Sequence, residues 1–162
     1  LKTILSYCST IPPSELNRNN IAKDMGIDHK TVQNYLSILE ETRLIRLIAE
    51  DRGGSQILRR KEKMYLGNVD LMKAISSASG FEPSIGTVRE LFFISMLENS
   101  GNVVFYSNIG DVLVGDAYFE IGGRNKGRKQ LKGAKKDAFV VKDDVLTGSS
   151  GVIPLYYVGF LY

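Results

Sequence analysis

Three acidic residues have the types and spacing to hold a divalent cation. Glu90 lies in an otherwise apolar predicted helix, Asp111 opens a predicted strand, and Glu120 lies at the far end of the next. A hairpin that turns at Gly115-Asp116 would bring Asp111 roughly opposite Glu120, and carboxylate oxygens are the ligands that Mg²⁺ prefers. This arrangement predicts a metal site at Asp111 and Glu120, with Mg²⁺ as the cofactor. The alternative is that Asp111 caps its strand and Glu120 pairs with a nearby arginine.

A glycine-rich and strongly basic stretch follows directly. Residues 122–136 carry seven basic side chains and no acidic one. Their charges attract phosphates, and the glycines allow a ligand to approach the backbone closely. The alternative is a solvated loop. No Gly-x-x-x-x-Gly-Lys-Ser/Thr pattern occurs in the sequence, so the stretch is not a P-loop. The residues predicted to bind nucleic acid here are Arg124, Lys126, Arg128, Lys129 and Lys132.

Residues 19–46 indicate a helix-turn-helix that leads into a strand. Gly26 suits the end of the first helix, and Asp28 suits the N-cap of the second. The second helix has an apolar stripe and, opposite it, a polar face that suits the major groove of DNA. The alternative is an ordinary pair of packed helices, and Glu40 and Glu41 make the positive charge of this helix sparse. The groove-facing residues are predicted to be His29, Lys30, Thr31, Gln33 and Asn34.

The remaining elements must position these residues. Two strands around the polar loop at residues 50–55 predict a wing, and Asn68 or Asp70 suits the cap of a further helix. A buried helix is predicted from Ile85 to Asn99. We predict an α/β (α+β) fold, with a winged helix-turn-helix at residues 1–66 and a mixed-sheet α/β domain at residues 67–162. The strands are predicted at residues 44–48, 61–67, 103–106, 111–114, 117–121, 138–141 and 153–158.

The composition argues against a disulfide-bonded protein and against a membrane-spanning one. The chain has 162 residues, 43% of them hydrophobic, and a net charge of +3. The single cysteine, Cys8, excludes an internal disulfide and favours the reducing cytoplasm. No apolar run reaches the length of a membrane span, so no membrane partner is expected. The chain starts at Leu1 inside a predicted helix, which indicates a piece of a longer protein.

The order of these segments resembles the C-terminal region of bacterial and archaeal AAA+ family ATPases. The resemblance covers nearly the whole chain. It implies a winged helix followed by a domain of unknown function with a restriction-endonuclease-like fold, and an ATP-binding P-loop module earlier in the same chain. The segments that carry it are Lys-Met-Tyr-Leu-Gly-Asn-Val-Asp-Leu at residues 63–71, Arg89-Glu90-Leu91-Phe92, Asp111-Val112-Leu113-Val114 and Phe119-Glu120-Ile121-Gly122-Gly123.

The resemblance also implies catalytic positions. A nuclease of this fold has an acid on its first helix, an aspartate on one strand and a Glu-x-Lys motif on the next. Glu90, Asp111 and Glu120 match the three acids, whereas Gly122 occupies the lysine position. Lys126 is the substitute that the following loop offers. A lysine there would stabilise the charge that develops on the phosphate.

These observations predict an accessory region of an ATPase that binds nucleic acid or a partner protein and is not itself catalytic. Its expected partners are nucleic acid and the ATPase module of the same chain, and ATP belongs to that module. Two alternatives stay open. One is a Mg²⁺-dependent nuclease that uses Asp111 and Glu120, and the other is a free-standing winged-helix regulator that binds DNA.

Overall fold

The chain forms two compact units in a computed structural model. The first unit comprises Leu1–Ile48 with Lys61–Pro83, and the second comprises Ala49–Arg60 with Ser84–Tyr162. The structure describes residues 2–10, 13–51, 61–134 and 137–161. Within these ranges no helix is both long and apolar enough to cross a membrane.

The first unit is built from helices and one small sheet. Its core includes Ile4, Ile21, Leu36 and Met64, all of them buried. The elements are helices α1 (Lys2–Thr10), α2 (Arg18–Met25) and α3 (His29–Glu41), strands β1 (Ile45–Ala49) and β2 (Glu62–Leu66), and helix α4 (Val69–Ser79).

The predicted end of α2 at Gly26 and the predicted N-cap of α3 at Asp28 are both present in the structure. Gly26 ends α2 in the left-handed conformation, at φ 64°. The Asp28 carboxylate accepts from the Thr31 amide at 3.0 Å and so caps α3. The Thr31 hydroxyl donates to the same carboxylate, and this bond lowers the pKa of Asp28. The turn between the two helices is therefore fixed by local chemistry.

Strands β1 and β2 form a two-stranded sheet after α3. The Gly67 amide donates to the Leu44 carbonyl at 2.8 Å, so the end of β2 lies beside the start of β1. Glu15, between α1 and α2, pairs with Lys63 through an antiparallel bridge. The tip of the predicted wing, at residues 52–55, lies outside the described residues.

Helix α4 packs against α1 and β2 and so belongs to the first unit. The domain boundary between residues 66 and 67 stays a prediction, and the compact unit runs on to Pro83. Asn68 is the residue that starts α4, because its side chain accepts from the Leu71 amide at 2.8 Å. Of the two predicted caps, the structure selects Asn68.

Replacing Asn68 with alanine is expected to lower the free energy of unfolding of the first unit by about 1 kcal/mol, because the Leu71 amide loses its acceptor. Chemical denaturation followed by circular dichroism measures the change. Ser79→Ala, at the exposed end of the same helix, is the matched control and should leave stability nearly unchanged. Equal stability of the two variants would contradict a capping role for Asn68.

The second unit is a helix packed on a five-stranded mixed sheet. The strand order is β3-β4-β5-β6-β7, in which β3, β4 and β5 are antiparallel neighbours and β5, β6 and β7 run parallel. The predicted α+β class is confirmed. The elements are α5 (Ile85–Asn99), β3 (Val104–Tyr106), β4 (Val112–Val114), β5 (Ala117–Gly122), β6 (Asp137–Lys142) and β7 (Val152–Pro154).

Helix α5 covers one face of this sheet. Phe93 of α5 contacts Phe119 of β5, with ring centroids 5.2 Å apart, and Phe119 stacks on Phe139 of β6 at 5.7 Å. Side chains alternate between the two faces of a strand, so Glu120 projects from the face opposite to that of Phe119. The acidic residue of interest is thus separated from α5 by the sheet.

One predicted strand is shorter than expected. Residues 153–158 were predicted as a strand, but β7 ends at Pro154 and Leu155–Phe160 form a 3-10 helix. Proline has no amide hydrogen to continue a ladder and is confined to edge strands, the position that β7 occupies. The aromatic residues after Pro154 therefore belong to a 3-10 helix and not to a strand.

Candidate functional site

Asp111 and Glu120 lie close together at one end of the β4–β5 hairpin, where the negative charge of Asp111 acts on the Glu120 carboxyl. The β4–β5 ladder ends at the pair Val112–Phe119, and Asp111 and Glu120 are the residues next to that pair in the sequence. The Asp111 amide donates to the Phe119 carbonyl at 2.8 Å and closes this end of the hairpin. Gly115 makes the turn at φ 55°. The structure thus brings together the two predicted strand acids.

Glu120 is buried, with 1% of its surface exposed. Its carboxylate is paired with the Lys126 ammonium, since Nζ lies 2.5 Å from Oε1. Gln130 approaches the same carboxylate, and its side-chain amide donates to both oxygens when the nitrogen faces them. Two residues of the basic stretch are therefore directed inward, onto one acid of the sheet.

The Lys126 stem lies in the space that a side chain at position 122 would occupy. A Cβ atom added to Gly122 would stand 2.6 to 2.8 Å from three carbons of Lys126, which is closer than carbon atoms approach. The Lys126 amide also donates to the Gly123 carbonyl at 2.9 Å, which folds the chain back over β5. Glycine at position 122 is thus required for Lys126 to reach Glu120.

Burial is the largest influence on the pKa of the Glu120 carboxyl. Removal from water raises the pKa of the Glu120 carboxyl, the hydrogen bond from Lys126 opposes that rise, and the negative charge of Asp111 adds to it. A carboxyl whose pKa is raised by folding favours the folded state at low pH and loses that contribution as pH rises through the raised pKa. Lys126 is the group that limits this loss.

The two acids are already engaged by protein donors. Asp111 accepts from the Ile121 amide at 2.7 Å, while Lys126 and Gln130 occupy Glu120. Within the described ranges no group of three or more His, Cys, Asp or Glu side chains could hold a metal ion. The third predicted acid, Glu90, lies on α5 at the other face of the sheet, and its catalytic role stays a prediction. The predicted Mg²⁺ site at Asp111 and Glu120 likewise stays a prediction.

The basic segment, defined here as residues 123–134, is fastened to the sheet at several points. The Arg128 guanidinium donates to the Ala138 carbonyl at 2.8 Å and reaches the Gly151 carbonyl at 3.5 Å. Leu131 is buried, in the 3-10 helix Lys129–Leu131. The Gln130 carbonyl accepts from the Gly110 amide at 3.2 Å. Lys135 and Lys136, which the sequence placed in the same stretch, lie outside the described residues.

The residues of this segment that were predicted to bind nucleic acid fall into two groups. Lys126 and Arg128 are used for anchoring, through the Glu120 carboxylate and backbone carbonyls. Arg124, Lys129 and Lys132 are exposed, and the Arg124 carbonyl accepts from the Lys142 ammonium at 3.1 Å. Arg128 is exposed as well, so it is its bonds to backbone carbonyls, and not its burial, that distinguish it from Arg124, Lys129 and Lys132.

The Arg89 side chain of α5 lies beside Gly123, at the start of the basic segment. Its Nε lies 2.9 Å from Oδ2 of Asp143, and its guanidinium lies 3.6 Å from Asp144. A Cβ atom added to Gly123 would stand 3.3 Å from the same guanidinium. Neither Arg89 nor Gln130 is among the site residues predicted from the sequence.

The polar face of α3 is open. His29, Lys30, Gln33 and Asn34 are exposed, while Val32, Leu36 and Leu39 form the buried stripe. Thr31 differs from the other predicted contacts, since it is half-buried and its hydroxyl is used in the helix cap. Glu40 and Glu41 are also exposed near the end of the helix.

The first half of the chain matches a known family. Residues 1–82 match a family described as a domain of unknown function, DUF8612. The chain belongs to this family. The match ends one residue before Pro83, where the first compact unit ends. No curated protein and no solved structure matches the chain. The matched description does not link the chain to AAA+ ATPases or to a nuclease fold, so both resemblances stay predictions.

Proposed function

We propose that the chain binds nucleic acid through the basic segment. The observation that carries the proposal is the pairing of buried Glu120 with Lys126, which together with Gln130 holds the segment on the sheet. Exposed Arg124, Lys129 and Lys132 then contact phosphates. A segment already ordered before binding loses less conformational entropy on binding than a flexible one. Binding by phosphate contacts gives affinity without sequence preference.

The first unit supports this role. Its order of helix, bridge strand, two helices and two strands supports the proposed winged helix, and the open polar face of α3 suits a groove of DNA. Lys30 and His29 give that face little positive charge beside Glu40 and Glu41. We therefore assign affinity to the basic segment and positioning to α3.

The wider setting follows from the sequence resemblance. We propose that the chain is an accessory region of a cytoplasmic AAA+ family ATPase, which would supply the P-loop that this sequence lacks. The gene sequence upstream of Leu1 tests this directly. A Gly-x-x-x-x-Gly-Lys-Ser/Thr motif there would support the accessory role. Its absence would reject that role and favour a free-standing winged-helix regulator.

The binding proposal is tested by reversing charge on the exposed face of the segment. Fluorescence anisotropy compares the affinity of wild-type protein and of Lys129→Glu/Lys132→Glu for labelled DNA. We expect the double variant to bind much more weakly. Lys2→Glu/Lys73→Glu, which changes two exposed lysines of the first unit, is the control with equal net charge. Equal affinity of the two double variants would reject the proposal.

A second function is favoured by the position of Lys126. Its ammonium reaches Glu120 through the space above Gly122, so Asp111, Glu120 and Lys126 supply the residue types that the Glu-x-Lys nucleases use. The second candidate is therefore a metal-dependent nuclease. The burial of Glu120 counts against it, and among the described residues no third His, Cys, Asp or Glu side chain is grouped with the two acids.

Incubation of the protein with plasmid DNA and Mg²⁺ or Mn²⁺ separates the two functions. The binding role predicts intact plasmid. A nuclease would nick it, and Asp111→Asn or Glu120→Gln would abolish the nicking, whereas Asp137→Asn, at an exposed carboxylate, would not. Nicking with this dependence on the two acids would replace the binding role as the main function.

A further inference from the structure

An open hollow lies against the basic segment of the second unit. Its volume is about 490 Å³, which is within the range of small-molecule sites and larger than a single phosphate group needs. The described residues around it are cationic or apolar and include no acid, so the hollow suits an anion with an organic body. The residues that line it are Gly127, Arg128, Lys129, Leu131 and Lys132.

The Arg128 guanidinium is held at this hollow by two backbone carbonyls. It donates to the Ala138 carbonyl at 2.8 Å and reaches the Gly151 carbonyl at 3.5 Å. A Cβ atom added to Gly151 would collide with the guanidinium, so glycine is needed there for Arg128 to reach both carbonyls. Arg128 is nonetheless exposed. Because a planar guanidinium stacks on aromatic rings, nucleobases included, this side chain can receive a base.

Lys129 and Lys132 supply the charge for a phosphate. Both are exposed, and the 3-10 turn Lys129–Leu131 brings them to the same hollow. Ammonium groups form short, charge-assisted hydrogen bonds with phosphate oxygens. Leu131 and the aliphatic stems of the two lysines offer apolar contact beside those charges. The hollow therefore combines a stacking plane, two phosphate-binding charges and an apolar lining.

We infer that the hollow binds one nucleoside phosphate, with the base stacked on Arg128 and the phosphate on Lys129 and Lys132. This inference rests on the proposed function, because the same lysines contact phosphate in both, and it adds a site for a base. The base separates this ligand from sugar phosphates, which have no aromatic ring to stack on a guanidinium. The ligand has two sources with one chemistry, a free nucleotide and an unpaired nucleotide of a nucleic acid.

NMR titration of the wild-type protein with adenosine 5′-monophosphate and with ribose 5-phosphate tests the role of the base. The two compounds carry the same phosphate and differ in the base. We expect the nucleotide to bind about five-fold or more tightly, which is the contribution of one stacked base. Equal affinity for the two compounds would overturn the inference, and this comparison needs no variant.

Gly127→Leu tests the hollow without changing its charge. Among the described residues no atom lies within 4 Å of a Cβ atom added to Gly127, so the fold accommodates the new side chain, which takes up open space at the lining. We expect the variant to bind adenosine 5′-monophosphate about five-fold or more weakly, because the base loses its place on Arg128. Gly86→Leu, at an exposed glycine of α5, is the matched control and should bind as the wild type does.

A labelled thymidine homopolymer separates the two sources of the nucleotide. If Gly127→Leu weakens binding of the homopolymer and of the monophosphate alike, the ligand is an unpaired nucleotide of a single strand. If only the monophosphate is affected, the ligand is a free nucleotide. Wild-type affinity of Gly127→Leu for both overturns the inference, and the proposed function stands if Lys129→Glu/Lys132→Glu still loses DNA binding. Failure of the proposed function shows separately, as equal DNA affinity of that variant and its Lys2→Glu/Lys73→Glu control.

Discussion

Lys126→Met is expected to lower the free energy of unfolding by about 2 to 3 kcal/mol near pH 8. Removing one partner of a buried ion pair leaves the other charge without compensation, which costs about 3 to 5 kcal/mol when both are buried. The Lys126 side chain is 32% exposed, so we expect a smaller effect. Methionine keeps the unbranched stem over Gly122, so the substitution removes the ammonium and little packing.

The loss of unfolding free energy in Lys126→Met should depend on pH. Burial raises the pKa of Glu120, and Lys126 holds that rise in check. Without Lys126 the pKa rises further, so the folded variant takes up a proton at higher pH than the wild type does. The stability difference should therefore be smallest below the pKa of an unfolded glutamate and should grow as pH rises through the raised pKa.

Urea denaturation at a series of pH values measures this difference. Lys129→Met, at an exposed lysine of the same segment, is the matched control and should follow the wild type at every pH. A Lys126→Met variant as stable as the wild type near pH 8 would show that the ammonium does not compensate the buried carboxylate. A difference that is constant with pH would show that Lys126 acts through packing alone.

The second large effect is expected on nucleic-acid affinity. At about 0.1 M salt each lysine that contacts a phosphate contributes about eight-fold to the binding constant through the release of counterions. Lys129→Glu/Lys132→Glu should therefore weaken DNA binding roughly 60-fold or more, since reversal adds repulsion to the lost contacts. Unfolding curves should match the wild type, because both side chains are exposed and the anchors Lys126, Arg128 and Gln130 remain.

Local signals in the sequence predicted much of the fold. Asp28 and Asn68 cap helices through bonds that span three residues, and Gly26 ends one in the conformation that suits glycine. The Gly115-Asp116 turn fixes the hairpin register, which pairs Val112 with Phe119 and so brings the neighbouring Asp111 close to Glu120. Each of these features depends on residues close together in the chain, which is why sequence patterns reveal them.

The rest depends on contacts between distant or irregular segments. That Lys126 returns to Glu120 follows from the tight turn at Gly123 and the open space above Gly122, neither of which sequence spacing determines. Gln130 approaches the buried Glu120 carboxylate from a 3-10 helix of three residues, and no periodic pattern marks so short an element. The tyrosines after Pro154 have the composition of a strand, but they lie in a 3-10 helix, where Tyr156 and Tyr157 are exposed.

The salt dependence of DNA binding tests the central claim most directly. A plot of the logarithm of the binding constant against the logarithm of salt concentration has a slope of about −0.9 for each phosphate contacted. If Lys129 and Lys132 contact phosphates, the slope for Lys129→Glu/Lys132→Glu should be shallower than that of the wild type by about two. The Lys2→Glu/Lys73→Glu control should keep the wild-type slope. Identical slopes for wild type and Lys129→Glu/Lys132→Glu would contradict nucleic-acid binding by the basic segment.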